Sequence, residues 1–176
     1  ENVRDLSLAE LLISYLPSKV GSILSINALR EDLITSFETV ERYLKILENL
    51  YYCYRVSPYH TKLLKTVKKE KKLYLWDWSE CETQARKFEN MVASNLLKYC
   101  HHQLDTRGEN TTLHFLRDKE KREIDFIVCQ NNIPKFAVEC KTGQKDVASH
   151  IKYFASRLSI PCFYQVHLEI KDYEKK

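Results

Sequence analysis

The chain has 176 residues, 44% hydrophobic and 30% charged, which suits one medium globular domain or two small ones. No apolar run approaches the ~20 residues a membrane span needs, and the opening ENVRDLSLAE is polar and acidic rather than signal-like, so no membrane partner and a cytoplasmic location are expected. Net charge is +4 but uneven: residues 1–60 carry six Lys/Arg against eight Asp/Glu, a balance of −2, and residues 61–176 carry 22 against 16, a balance of +6, so attraction to a polyanion belongs to the second part.

In chain order, Leu6, Leu8, Leu11, Leu12 and Tyr15 recur at helical spacing, and Pro17 is expected to follow that helix's end. Ser25 can cap a short helix through Leu33. Ser36 can cap a longer one over FETVERYLKILENL, with Val40, Tyr43, Leu44 and Leu47 as its apolar stripe. YYCYRV reads as a strand ended by Pro58. Three helices and a strand wing over residues 1–60 suggest a winged helix-turn-helix. Reading a DNA groove would fall to the third helix, which offers Arg42 and Lys45 but also Glu38, Glu41 and Glu48. That acidity favours a packing or protein-contact role.

Residues 61–83 read as a basic linker and connecting strand. Lys62, Lys65, Lys68, Lys69, Lys71 and Lys72 crowd its start; a solvated connector is the plainer reading, and Lys65, Lys68, Lys69 and Lys71 are the candidate nucleic-acid contacts. KLYLWDW alternates apolar and polar residues as a strand does, with Trp76 and Trp78 expected in the core. From residue 84 to 176 the order is helix (84–102), strand TLHFLRD, turn DKEKRE, strand IDFIVC, a turn marked by Asn131, Asn132 and Pro134, strand KFAVECK, helix 145–157 and strand CFYQVHL.

Three acidic residues stand where a surface charge would be odd. Advancing each helix residue by about 100° puts Ala85, Val92, Ala93, Leu96 and Cys100 within roughly 60° of Glu89, at the centre of an apolar face. Asp125 lies within IDFIV, apolar on both sides. Glu139 and Lys141, two apart in AVECK, project from one face, roughly 6.5–7 Å apart along the strand. A buried carboxylate must be paired, protonated or bound to a metal.

Asp125, thirteen residues, then Glu139-Cys140-Lys141 resembles the PD-(D/E)XK nuclease motif, with Ile124 where the motif's Pro would stand. The resemblance implies an α/β restriction-endonuclease-like core (αβββαβ) over residues 84–176. It also implies Mg²⁺ or Mn²⁺ held by Asp125 and Glu139, Lys141 at the attacking water or transition state, and Glu89 as a supporting ligand, with DNA as substrate. Hard carboxylates suit such a cation, and an ammonium suits developing negative charge.

A second resemblance covers residues 6–167. The stretch LPSKVGSILSINALREDLITSFETVERYLKILENLYYCYRV is similar to the segment after the ATPase module in a prokaryotic family of AAA-type ATPases, and RKFENMVASNLL, HFLRDKEKREIDFIV and FAVECKTG resemble its C-terminal domain. It implies an N-terminal ATPase module as partner. No G-x-x-x-x-G-K-[ST] loop occurs, and no initiator methionine opens the chain, so a fragment of a longer protein is expected. The alternative to nuclease activity is a catalytically silent nuclease fold that binds DNA or regulates the ATPase. Self-association is a partner class the sequence leaves open.

Six cysteines, none in a CxxC, read as reduced core residues, with a disulfide framework the minority alternative. Neighbours on a helix point about 100° apart, so Cys100-His101-His102 makes a poor zinc site; His60, His114, His150 and His167 read as isolated.

Overall fold

The computed structural model describes residues 3–60, 70–143, 146 and 149–169. Among them are five α-helices and six strands, parallel and antiparallel, with no helix long and apolar enough to cross a membrane. The chain divides into two compact units, residues 1–56 with 70–90, and residues 57–69 with 91–176.

The first unit opens with α1 (Val3–Lys19), α2 (Ile26–Asp32) and α3 (Phe37–Asn49). The expected caps are in place: Ser25 Oγ accepts from the Ala28 N–H at 3.2 Å, and Ser36 Oγ from the Thr39 N–H at 3.1 Å. Strand β1 (Cys53–Pro58) then pairs antiparallel with β2 (Lys72–Leu75), Cys53 opposite Leu75 and Val56 opposite Lys72. Arg55 on β1 reaches back to α3, holding Glu48 at 2.8 Å and Glu41 at 3.0 Å. Two of the three acids that make α3 look unfit for phosphates are thus neutralised internally, while Arg42 and Lys45 stay exposed.

The other edge of β2 is covered by the α1–α2 turn. The Gly21 N–H donates to the Leu73 carbonyl at 3.0 Å, and the Leu24 N–H to the Lys71 carbonyl at 2.8 Å. Helix α4 (Gln84–Arg107) finishes the strand's end: fully buried Asn90 donates to the Leu75 carbonyl at 2.7 Å and accepts from its N–H at 2.8 Å, so one side-chain amide substitutes for a strand partner.

In the second unit, β3 (Thr111–Arg117), β4 (Glu123–Gln130) and β5 (Ile133–Lys141) form an antiparallel meander, and β6 (Phe163–His167) adds parallel to β5. The tip of β1 pairs parallel with β3 at Ser57–His114 and Pro58–Phe115. Asn131 and Asn132, both at positive φ, make the two-residue β4–β5 turn. Beyond it the register shifts by one, with Cys129 opposite Pro134 but Val128 opposite Phe136, leaving Lys135 as the extra residue of a bulge. Helix α5 (Ser149–Ala155) sets Phe154 into a core of Leu116, Ile127, Ala137 and Leu158. Its Tyr153 ring lies between the guanidiniums of Arg122, 3.6 Å away, and Arg157, 3.8 Å away. Arg122 is itself held by buried Asp118 at 2.7 Å, which ties the β3–β4 turn to the helix.

Several expectations are corrected. Pro17 lies inside the last turn of α1, and Leu6 and Leu11 are exposed; the buried edge runs Leu12, Leu16, Val20. All four residues of β2 are buried rather than alternating. Trp76 falls beyond the strand, and Trp78 sits half-exposed in a 3-10 turn (Trp78–Glu80). The expected solvated connector loses Lys72 to the interior. Helix α4 runs past His102 to Arg107, where Gly108, at φ +66°, caps it. All six cysteines are free, four of them buried; burial pushes the Cys53 and Cys129 thiols up to about 12 and Cys100 to about 11, which keeps them protonated and unreactive.

Candidate functional site

The alternation of β4 and β5 builds one face of the second unit. Ile127 stands opposite Ala137, and Ala137 beside Phe163, so an apolar row crosses three strands where α5 packs. Asp125 lies two residues before Ile127 and Glu139 two after Ala137, on that same face, one step further along the sheet. Gln165 stands beside Glu139 and His167 beside Lys141 in the parallel β5–β6 ladder. Past the apolar row, therefore, the sheet turns polar.

The charges there interlock. Lys141 Nζ donates to Glu139 Oε1 at 2.6 Å. Burial lowers the affinity of the Lys141 ammonium for its proton, but the hydrogen bond to Glu139 and the charges of Glu139 and Asp125 outweigh it and raise its pKa above the ordinary lysine value. The Asp125 carboxylate accepts the Cys140 N–H at 2.8 Å, a side chain taking a backbone donor just past the last Phe126–Val138 rung. The Glu139 side chain is only 7% exposed, and its Oε2 is buried without a hydrogen-bond partner among the described residues. So one oxygen holds Lys141, and the other meets no partner among the described residues.

Asp125, Glu139 and Lys141 therefore come together. The histidine that sequence reading set aside as isolated comes with them: His150 on α5 places Nε2 at 3.3 Å from Glu139 Oε1. No local signal marks His150, because its neighbour is eleven residues away on another element.

Glu89 has different company. It lies at the margin of the buried stripe, with Ala85 exposed and Asn90 in the fully buried place. Its Oε1 accepts from Tyr74 Oη at 2.9 Å and from Lys72 Nζ at 3.3 Å, both on β2 of the first unit. A Cβ on Gly21 would come within 3.1 Å of its carboxylate, so glycine at φ +72° is what lets the chain pass. Of the candidate nucleic-acid contacts, Lys65, Lys68 and Lys69 lie outside the described residues; Lys71 is exposed just before β2.

The carboxylates fit a hard cation. Mg²⁺ is commonly held by one or two carboxylates with water and substrate oxygens completing its shell. The orphaned Glu139 Oε2 is a buried acceptor that a cation would satisfy. Among the described residues no group of three or more His, Cys, Asp or Glu side chains could hold a metal.

Residues 1–91 match a family model described as domain of unknown function (DUF8612), and residues 85–176 match one described as domain of unknown function (DUF4143). Domains of the second kind occur in AAA-ATPase-associated proteins. No curated protein and no solved structure matches the chain.

Proposed function

Because the chain belongs to the DUF8612 family through its first half and to the DUF4143 family through its second, we propose that it joins a winged-helix-like module to a PD-(D/E)XK-type domain that hydrolyses DNA phosphodiesters with Mg²⁺ or Mn²⁺, as part of an assembly with an ATPase. The observation that carries this reading is the unpartnered, buried Glu139 Oε2, on the same face as Asp125 and Lys141. The strand–strand–strand–helix–strand order from β3 to β6 supports it, as does the positive balance of residues 61–176.

Asp125 and Glu139 would hold the cation, which when bound supplies charge neutralisation at the phosphate and a more acidic water. The chain's own contribution is placement. Asp125 is fixed by the Cys140 N–H, so its remaining lone pairs keep a set direction. Lys141, held cationic by its neighbours, offers a fixed positive charge beside the carboxylates, where negative charge grows on the phosphoryl oxygens. Glu89, engaged by Lys72 and Tyr74, is left out of the ligand set.

One observation favours a second reading, a silent fold that binds or regulates: Lys141 pairs directly with Glu139 at 2.6 Å, a salt bridge that a structural role alone would explain. Supercoiled and linear DNA incubated with Mg²⁺ or Mn²⁺ separates the two. Cleavage that disappears in Asp125→Asn and Glu139→Gln supports hydrolysis. An intact chain that neither cleaves nor binds a divalent cation by calorimetry leaves the silent fold.

A further inference from the structure

The outermost strands are finished differently. In the first unit the outer side of β2 is covered by the α1–α2 turn, through the N–H groups of Gly21 and Leu24. In the second unit β6 is the last strand, and among the described residues no strand lies beyond it. The Ala137 N–H donates to the Cys162 carbonyl at 2.9 Å, which fixes the direction of the peptides that follow. Alternate residues of a parallel ladder face the partner strand. Tyr164 and Val166 therefore turn their backbone groups to β5, while Phe163, Gln165 and His167 turn theirs outward.

We propose that this outer side of β6 is a docking edge for a second copy of the chain, the two β6 strands pairing antiparallel about Gln165.

Three observations support the pairing. The first is an edge without guards. Phe163–His167 contains no Lys, Arg, Asp, Glu or Pro, and its register with β5 runs unbroken from Phe163 to His167, so neither charge nor bulge deters another strand. The second is self-complementarity. Centred on Gln165, the register sets outward-facing residues against each other, Phe163 against His167 and Gln165 against itself, and no like charges meet. Between them Tyr164 of one copy stands opposite Val166 of the other, twice over, an aromatic and β-branched pair at the closer, non-hydrogen-bonded position. The third is apolar surface beside the edge. Tyr164 is 52% exposed, and its ring centroid lies 5.7 Å from that of Phe136, which lies 6.1 Å from that of Tyr99, itself 43% exposed. Such a row gives a strand-to-strand contact aromatic area to bury besides its hydrogen bonds. Because Gln165 stands beside Glu139, the pairing sets the two copies' Glu139 residues on one face, three strand spacings or about 14 Å apart.

The test uses the full chain. Sedimentation over a dilution series should pass from twice the chain's mass to once. Hydrogen exchange followed by NMR on the same series should slow the Phe163, Gln165 and His167 amides by about tenfold or more in the concentrated samples, while the Tyr164 and Val166 amides, held by β5, keep one rate throughout. That readout needs no variant to fold. Tyr164→Lys, at an exposed position, should raise the dissociation constant by about tenfold. Gln165→Pro should abolish the dimer and leave the β5–β6 ladder, because the N–H it removes points outward. A chain that is monomeric throughout, or a dimer in which those three amides exchange as they do in the monomer, overturns the proposal. So does protection that dilution leaves unchanged, since the chain then covers its own edge.

Discussion

Each unit sets a glutamate against a lysine in its interior, and the two pairs are finished differently. In the first unit Glu89 meets Lys72, and Tyr74 adds a hydroxyl to the same oxygen. In the second, Glu139 meets Lys141 and keeps a buried oxygen that no described residue satisfies. An ion pair inside a protein recovers its desolvation cost only when the remaining lone pairs and protons find partners. The first pair, closed by a tyrosine, suits holding β2 to α4. The second, left open, suits receiving something from outside.

The widest separation should appear in catalysis. With Mg²⁺ or Mn²⁺, Glu139→Gln should remove DNA cleavage, and Lys141→Ala should slow it by about 10²-fold while retaining cation binding. Glu89→Gln should cleave at the wild-type rate per folded molecule and show a lowered melting temperature instead. Equal losses of cleavage from Glu89→Gln and Glu139→Gln would erase the distinction between the pairs.

Next in size is the structural side of the first unit. Asn90→Ala strands both the N–H and the carbonyl of buried Leu75, which should cost roughly 3 kcal/mol in urea unfolding. A loss under about 0.5 kcal/mol would mean that the end of β2 finds other partners. Smaller still, Gly21→Ala should cost about 1–2 kcal/mol, from a strained positive φ and from crowding the Glu89 carboxylate. If the crowding matters, Gly21→Ala and Glu89→Gln will be non-additive when combined.

The least effect is a pH dependence in the second unit that bypasses the carboxylates. Burial lowers the His114 pKa, outweighing the backbone hydrogen bond at Ser57 that raises it. A depressed imidazole costs nothing while both states are neutral. Below the unfolded value of about 6.5 the unfolded chain gains a proton that the folded chain resists, so stability should decline as pH falls from there. Melting temperatures at pH 7.5 and 5.5 should converge in His114→Gln. A wild-type melting temperature that rises on acidification runs against this sign.

That Asp125, Glu139 and Lys141 lie on one face could be read from the sequence because strand alternation is local: two residues apart means one face. Glu89 misled for the opposite reason. A helical wheel finds an apolar stripe but not its centre, and the buried position went to Asn90, whose polarity hid it. The lysine run misled by composition, since charge counting cannot see that Lys72 leaves the solvent to meet a carboxylate seventeen residues away. Likewise Glu41 and Glu48 count against an anion-binding helix until Arg55 is seen to hold them. His150 needed the tertiary fold, as did Asp118, whose hydrogen bonds to Arg122 form only once the turn closes.

The bulge at Lys135 amounts to a frame-setting insertion. The Gln130–Ile133 rung beside the Asn-Asn turn, continued without interruption, would bring Asp125 opposite Val138; the extra residue advances β5 by one and brings Glu139 there instead. A strand has a period of two, so a shift of one sends every later side chain to the other side. Lys135 is exposed and touches none of the reactive groups, and its substitution should be tolerated. Its deletion should not be: losing that one codon would turn the site inside out as surely as losing the carboxylate itself, which makes the hairpin's length, more than its composition, the thing inheritance must copy faithfully.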